Sequence, residues 1–285
     1  MNDKLAHFLL HISKPFISNM SLRITRKMQD KSGDALLRKF RIHPVFEYPD
    51  YAEKIIIAKG KDESTAFFYL HGGAYGAGDE GYIRGAAGLM AHKTGADIAG
   101  VRYRLSPEYP YPFALGDALS AYEIISGKYD RIFLFGDSAG GGMIFSLCSL
   151  IKEHGLKWPE GIIAFSPWTD LTFSGRSYVT NRRSDPTLTK KELKKSAQMY
   201  IASDSAENPF ISPVRLDTDG FPDTLIFAGG DEILLSDAQM MHENLLAHNV
   251  RSQLIVHEGM WHVYPFFDTS YDREIFDIIR SFAAL

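Results

Sequence analysis

The sequence predicts an α/β fold: a mostly parallel, eight-stranded sheet with helices on both faces and a helical cap. Three observations carry this. From residue 43 onward, short apolar runs alternate with stretches long enough for crossover helices, the rhythm of a parallel sheet. One of those runs, RIFLF at 131–135, leads into Gly136-Asp137-Ser138-Ala139-Gly140 and then the apolar helical stretch GGMIFSLCSLIKEHG, a strand–turn–helix unit. The interval 166–223 breaks the rhythm: it holds no strand pattern, yet Thr189 followed by Glu192 makes a capping box that opens a helix through about Ile201, as an inserted lid would.

In chain order, Leu5, Phe8, Leu9 and Ile12 fall at i, i+3, i+4 and i+7, the spacing of one helical face, and Pro15 interrupts. A second stretch, Met20 to Met28, repeats that spacing through Ile24. Lys and Arg outnumber Asp and Glu in residues 1–40, which reads as a solvated outer face in preference to a membrane-surface element. Strands are expected at 43–48, 53–58, 66–70, 97–103, 131–135, 161–165, 224–228 and 252–257. The turn PDY joins the first two as an antiparallel pair. Residues 1–40 and about 171–222 are read together as a cap over the carboxyl end of the sheet, with 41–285 as the catalytic domain into which the second piece is inserted.

Composition narrows the function classes. A formal net charge of −4 gives no general electrostatic case for nucleic acid. The single cysteine, Cys148, excludes an internal disulfide and any cysteine-based zinc site, and its apolar surroundings read as a buried thiol. No cluster has metal-ligand spacing, and no cofactor is implied. The N-terminus lacks the pattern of a signal peptide and no run is long enough to span a membrane, so a cytoplasmic address is the expectation.

Two chemistries compete for HGGAYGAGDEG at 71–81. Gly76, Gly78 and Gly81 spell G-x-G-x-x-G, the dinucleotide pattern, while His71-Gly72-Gly73 resembles a loop offering bare N–H groups to an oxyanion. The dinucleotide reading fails on position: Gly76 lies six residues beyond Leu70, and the next strand ends in Arg102 and Tyr103 where an acid is required. His71 is read as bracing the loop.

Ser138 is the nucleophile candidate, because a serine at the apex of such a turn is exposed and strained while flanking glycines avoid collisions. A serine hydroxyl needs a base, and a histidine base needs an orienting acid. Asp231 follows TLIFAGG and His262 follows SQLIVHEGMW, so the order Ser138, Asp231, His262 places all three beyond strand ends. Glu232, adjacent but one residue further into the loop, is the rival acid. Asp237 reads as an acid at a helix start and His257 as a strand residue.

With these blocks in place, the sequence resembles the hormone-sensitive-lipase group of α/β-hydrolases, the family IV esterases. The likeness runs from about 66 to 267 through HGGAY, VRYRLSPEYPYPFALGD, GDSAGG, SPWTDL, GGDEILLSDA and GMWHVY. It implies the α/β-hydrolase fold, a serine carboxylesterase acting on short acyl chains, Ser138, Asp231 and His262 as the triad, and Gly72, Gly73 and the Ala139 N–H as the oxyanion hole. Ala74 stands where the family's loop commonly has a third glycine. Tyr75, Trp168 and Trp261 flank the motifs as candidates for pocket lining, with core packing as the alternative for each. A small-molecule ester is the expected partner, with no nucleic acid and no membrane span; pairing as a homodimer is left open. An amidase or deacetylase using the same triad, and a non-catalytic receptor on the same fold, are the competing functions.

Overall fold

The computed structural model describes residues 3–17, 20–50 and 52–285. Two helices come first, α1 (Asp3–Ile17) and α2 (Leu22–Phe40). Then follow β1 (Phe46–Glu47), β2 (Ile55–Ala58), β3 (Asp62–Leu70), α3 (Glu80–Thr94), β4 (Ala96–Val101), α4 (Phe113–Ser126), β5 (Arg131–Asp137) and α5 (Ser138–Glu153). The chain continues through β6 (Gly161–Phe165), α6 (Ser177–Thr180), α7 (Lys190–Ile201), β7 (Thr224–Gly229), α8 (Leu235–Ala247), β8 (Ser252–His257) and α9 (Asp272–Ala283).

All eight strands fall where the apolar runs placed them, and they form one sheet in the order β1-β2-β4-β3-β5-β6-β7-β8. β1 and β2 pair antiparallel, Phe46 opposite Ala58, as their short connection implied; Tyr51 of that turn lies outside the described residues. β2 meets β4 antiparallel, and every pairing from β4 through β8 is parallel. β3 begins earlier than its apolar run because Asp62 already pairs with Ala96 ahead of a register shift.

Alternation along the strands sends side chains to two cores. Phe68, Leu70, Leu134, Ala164 and Ile226 pack on one face with residues of α4, α5 and α8. Phe67, Tyr69, Phe133, Phe135, Phe165 and Phe227 pack on the other with α3 and α9. Each large aliphatic or aromatic side chain among them, fully buried, contributes on the order of 1.5–3 kcal/mol.

Two local expectations are adjusted. α1 runs through Pro15 to Ile17, where an interruption was expected. The Leu5, Phe8, Leu9 and Ile12 stripe does form one helical face, but that face points to solvent, the four side chains being 50, 59, 49 and 52% exposed. The capping box forms as expected, with Glu192 N–H donating to Thr189 Oγ1 at 3.2 Å and the Thr189 hydroxyl donating to the Glu192 carboxylate at 2.6 Å.

α2 lies directly on α3 through glycines. A Cβ on Gly33 would come within 1.8 Å of the Gly81 carbonyl oxygen, and one on Gly85 within 2.2 Å of Gly33 Cα. Gly81 therefore serves a helix crossing, with no role toward a pyrophosphate.

Candidate active site

The chain leaves β3 toward one side of the sheet to form β4, then crosses back to place β5 on the other side of β3. Reversals of this kind open a crevice beyond the carboxyl ends of the two central strands. The loops entering that crevice are residues 71–79 after β3 and the turn between β5 and α5.

Ser138 sits at that second turn with φ of +55°, in the left-handed region. Such a conformation costs an L-residue about 1–2 kcal/mol and persists only where its surroundings enforce it. Those surroundings are close. A Cβ on Gly140 would meet the Leu70 carbonyl oxygen at 2.0 Å, and one on Gly142 the Trp168 carbonyl oxygen at 2.0 Å. The strain lifts the hydroxyl off the end of β5 toward the loop after β8.

His262 comes from that loop. Its Nε2 lies 2.8 Å from Ser138 Oγ, and the imidazole is 6% exposed. Its Nδ1 is 2.7 Å from Glu232 Oε2, and Glu232 is fully buried. The other carboxylate oxygen of Glu232 accepts the Gly229 N–H at 2.9 Å, which fixes the carboxylate plane. The Asn181 amide holds the carbonyls of Gly230 and Glu232 at 2.8 and 3.0 Å, clamping the acid loop from the 171–222 segment.

Asp231, the acid expected from chain order, is corrected by this arrangement. Its carboxylate turns away and meets His7 Nε2 of α1 at 3.0 Å, with the Asp231 side chain 30% exposed. Asp231 and Glu232 occupy consecutive positions of one turn after β7, and their side chains leave it in different directions. No spacing signal distinguishes them; only the fold shows which one faces the imidazole.

The oxyanion loop needs a second correction. The Gly72 N–H is already engaged, donating to Asp137 Oδ1 at 2.9 Å, so Gly72 offers no free donor. Gly73 and Ala74 border the cavity beside Ser138, and among the described residues their N–H groups have no hydrogen-bond acceptor. The Ala139 N–H, in the first turn of α5, is likewise unengaged among the described residues. Ala74 adopts φ of +53°, which a glycine would take without strain.

Asp137 ties this loop to the nucleophile's strand. Besides Gly72 it accepts the Tyr69 hydroxyl at 2.6 Å and the Tyr82 hydroxyl at 2.8 Å. Burial pushes its carboxyl upward, and the two phenols and the amide oppose that shift. His71 stacks on Tyr103 with ring centroids 4.1 Å apart, and its Nδ1 lies 2.7 Å from the Gly72 carbonyl oxygen. Burial lowers its pKa from 6.5 to about 4, so it is neutral at neutral pH.

The cavity above Ser138 measures about 310 Å³. Met20, Leu22, Thr25 and Gln29 from the first helical segment line it, as do Leu188, Leu193, Ser196 and Met199 from the 171–222 segment. Both helical segments flanking the sheet thus border the same space. α2 also holds the loop from outside, Arg26 donating to the carbonyls of Gly76 and Ser106 at 2.7 and 2.8 Å.

Tyr75, Trp168 and Trp261 do not line this cavity. Tyr75 stacks on Tyr200 at 3.7 Å, Trp168 lies between Tyr75 and Phe173, and Trp261 packs against His7 and Phe267. Their bulk fills the junction of body and helices. Asp237 is more than an acid at a helix start: fully buried, it accepts the N–H groups of Thr169 and Asp170 at 3.1 and 2.9 Å. His257 ends β8, stacked on Tyr271 at 3.8 Å.

With the crevice, the strained serine and its imidazole in place, comparison with known proteins is informative. Residues 67–266 match the family model described as the alpha/beta hydrolase fold, and the chain belongs to that family. Within it, the chain is 28% identical to an acetyl-hydrolase of Streptomyces hygroscopicus over 214 residues, 74% of this chain and 72% of the relative. It is 31% identical to an esterase of Acinetobacter venetianus over 205 residues, 70% and 68% of the two chains. A crystal structure of a hormone-sensitive lipase from a metagenome library superposes with a TM-score of 0.89 at 29% identity, covering 100% of this chain and 98% of that one. An esterase of the bacterial hormone-sensitive lipase family gives 0.85 at 28%, covering 93% and 91%. The chain is a serine hydrolase of carboxylic esters in the hormone-sensitive-lipase branch of its family.

Proposed function

We propose that this esterase works through Ser138, His262 and Glu232 on small esters with short acyl chains. The relay of 2.8 Å from Ser138 Oγ to His262 Nε2 and 2.7 Å from His262 Nδ1 to Glu232 supports the reading. With Nδ1–H donated to Glu232, Nε2 is left unprotonated to take the serine proton as Oγ attacks the ester carbonyl. Buried Glu232 holds the ring and stabilises the imidazolium. The N–H groups of Gly73, Ala74 and Ala139 receive the tetrahedral oxyanion; losing one such donor typically costs about 2.7–4 kcal/mol of barrier. The imidazolium then protonates the leaving alcohol, and water repeats the sequence on the acyl-enzyme.

The cavity of about 310 Å³ is at the small end of the roughly 300–1,000 Å³ of small-molecule sites, which favours short chains. Residues 1–40 and 171–222 act as a cap on the catalytic domain. Among the described residues no helix is long and apolar enough to cross a membrane; a cytoplasmic address and the absence of a nucleic-acid partner remain parts of the proposal.

A fluorophosphonate probe is expected to label Ser138 in the wild type and to leave Ser138→Ala unlabelled. Undiminished labelling of that variant would overturn the assignment. Hydrolysis across an acyl-chain series should peak at the shortest members, and matched acetyl esters and amides separate the esterase from the amidase reading.

A further inference from the structure

α1 is seated on the protein by its polar side chains. Asp3 accepts the Ser270 hydroxyl at 2.5 Å, His7 meets Asp231 at 3.0 Å, and Lys14 donates to the Asp185 carbonyl at 2.5 Å. Among its described side chains Ala6 is buried and Leu10 packs half-buried against the core. The opposite face presents Leu5, Phe8, Leu9 and Ile12 to solvent as one stripe, and the neighbouring α2 exposes Ile24 and Met28 one turn apart. In a soluble domain the apolar stripe of a helix ordinarily faces the core. Here the sense is reversed, and a concentrated apolar surface of this kind marks an interaction site.

Charge identifies the occupant. Residues 1–40 carry eight Lys and Arg against three Asp and Glu, and residues 176–196 carry seven against two, in a chain whose formal net charge is −4. The positive charge is therefore concentrated on the two segments that border the ester cavity. Arg23, Lys27 and Lys31 lie exposed beside Ile24 and Met28, with no ion-pair partner among the described residues. A second copy docking through the same face would set these basic groups against each other. A nucleic acid would meet the charges and leave the aliphatic stripe uncovered. An anionic lipid–water interface satisfies both, taking apolar side chains to the acyl boundary and Lys and Arg to the headgroups.

We infer that α1 and α2 form a docking surface for anionic lipid. The surface itself does not depend on the ester chemistry; its consequence, access to esters partitioned into lipid, rests on the function proposed above. Full-length protein is sedimented with vesicles of phosphatidylcholine, with and without phosphatidylglycerol. Binding is expected only to the anionic vesicles and should be lost at high salt. Phe8→Ser combined with Ile12→Ser should weaken it about tenfold or more, as should Arg23→Glu combined with Lys27→Glu. Both variants should hydrolyse a water-soluble acetyl ester at the wild-type rate, showing that they fold. The inference is overturned if anionic vesicles leave the protein in solution, or if folded variants bind as the wild type does. It is equally overturned if the apolar variant instead abolishes a concentration-dependent dimer.

Discussion

α1 and α9 lie at opposite ends of the chain, with Asp3 of α1 accepting the N–H of Ser270 just ahead of α9, yet they use the same periodicity in opposite senses. α9 turns Ile275, Phe276, Ile279 and Ala283 into the core against β5 and α3. α1 turns Leu5, Phe8, Leu9 and Ile12 outward and is held by Asp3, His7 and Lys14. Spacing establishes that a helix has an apolar face; it says nothing about what that face meets. A helix seated by apolar burial belongs to the body's stability. One whose described contacts are mostly polar, with Ala6 and Leu10 its apolar seats, adds less to it.

The sharpest separation between chemistry and helix seating falls on two adjacent acids. Glu232→Gln should lower kcat by roughly 10³–10⁴-fold, the scale seen when a histidine base loses its orienting carboxylate. Asp231→Asn, which touches only the α1 contact, should change it less than about tenfold. Equal losses would show that α1 is coupled to the reacting groups, and would break the comparison.

Stability measured by denaturant unfolding should divide the two helices. Phe276→Ala in α9 removes a buried aromatic ring and should cost about 3–5 kcal/mol. Phe8→Ala in α1 removes one 59% exposed and should stay within about 0.5 kcal/mol.

Acid sensitivity should also belong to the body. His71 is buried and neutral, its pKa lowered by burial from 6.5 to about 4. Below pH 6.5 the unfolded chain takes up a proton that the folded state refuses, so stability falls as pH drops from 6.5 toward 4, by up to roughly 3 kcal/mol from this group. His71→Asn, less stable at neutral pH, should show a shallower decline over that window. His7, whose pairing with Asp231 is partly exposed, has the smallest expected effect: His7→Ala should cost no more than about 1 kcal/mol.

Much of the fold is legible because its signals are local. The runs of β3 through β8 are short, apolar and separated by helix-length segments, and a strand buried on both faces can hardly be written otherwise. The turn at Ser138 is legible for the same reason: glycines at 136 and 140–142 record how closely β3 and the loop after β6 approach it. The excess of Lys and Arg in residues 1–40 is legible as well, whereas what that segment's exposed face meets is not.

By itself, the sequence determined the number and order of the strands, the place of Ser138 at a strand–helix turn and the late position of His262. Only the tertiary structure decided between Asp231 and Glu232, assigned Gly72's N–H to Asp137, sent Tyr75, Trp168 and Trp261 into packing, and turned α1 outward. The physical reason is common to all four. Periodicity and turn chemistry fix backbone conformation over a few residues, whereas the direction in which a side chain finds its partner depends on groups brought near it by distant parts of the chain.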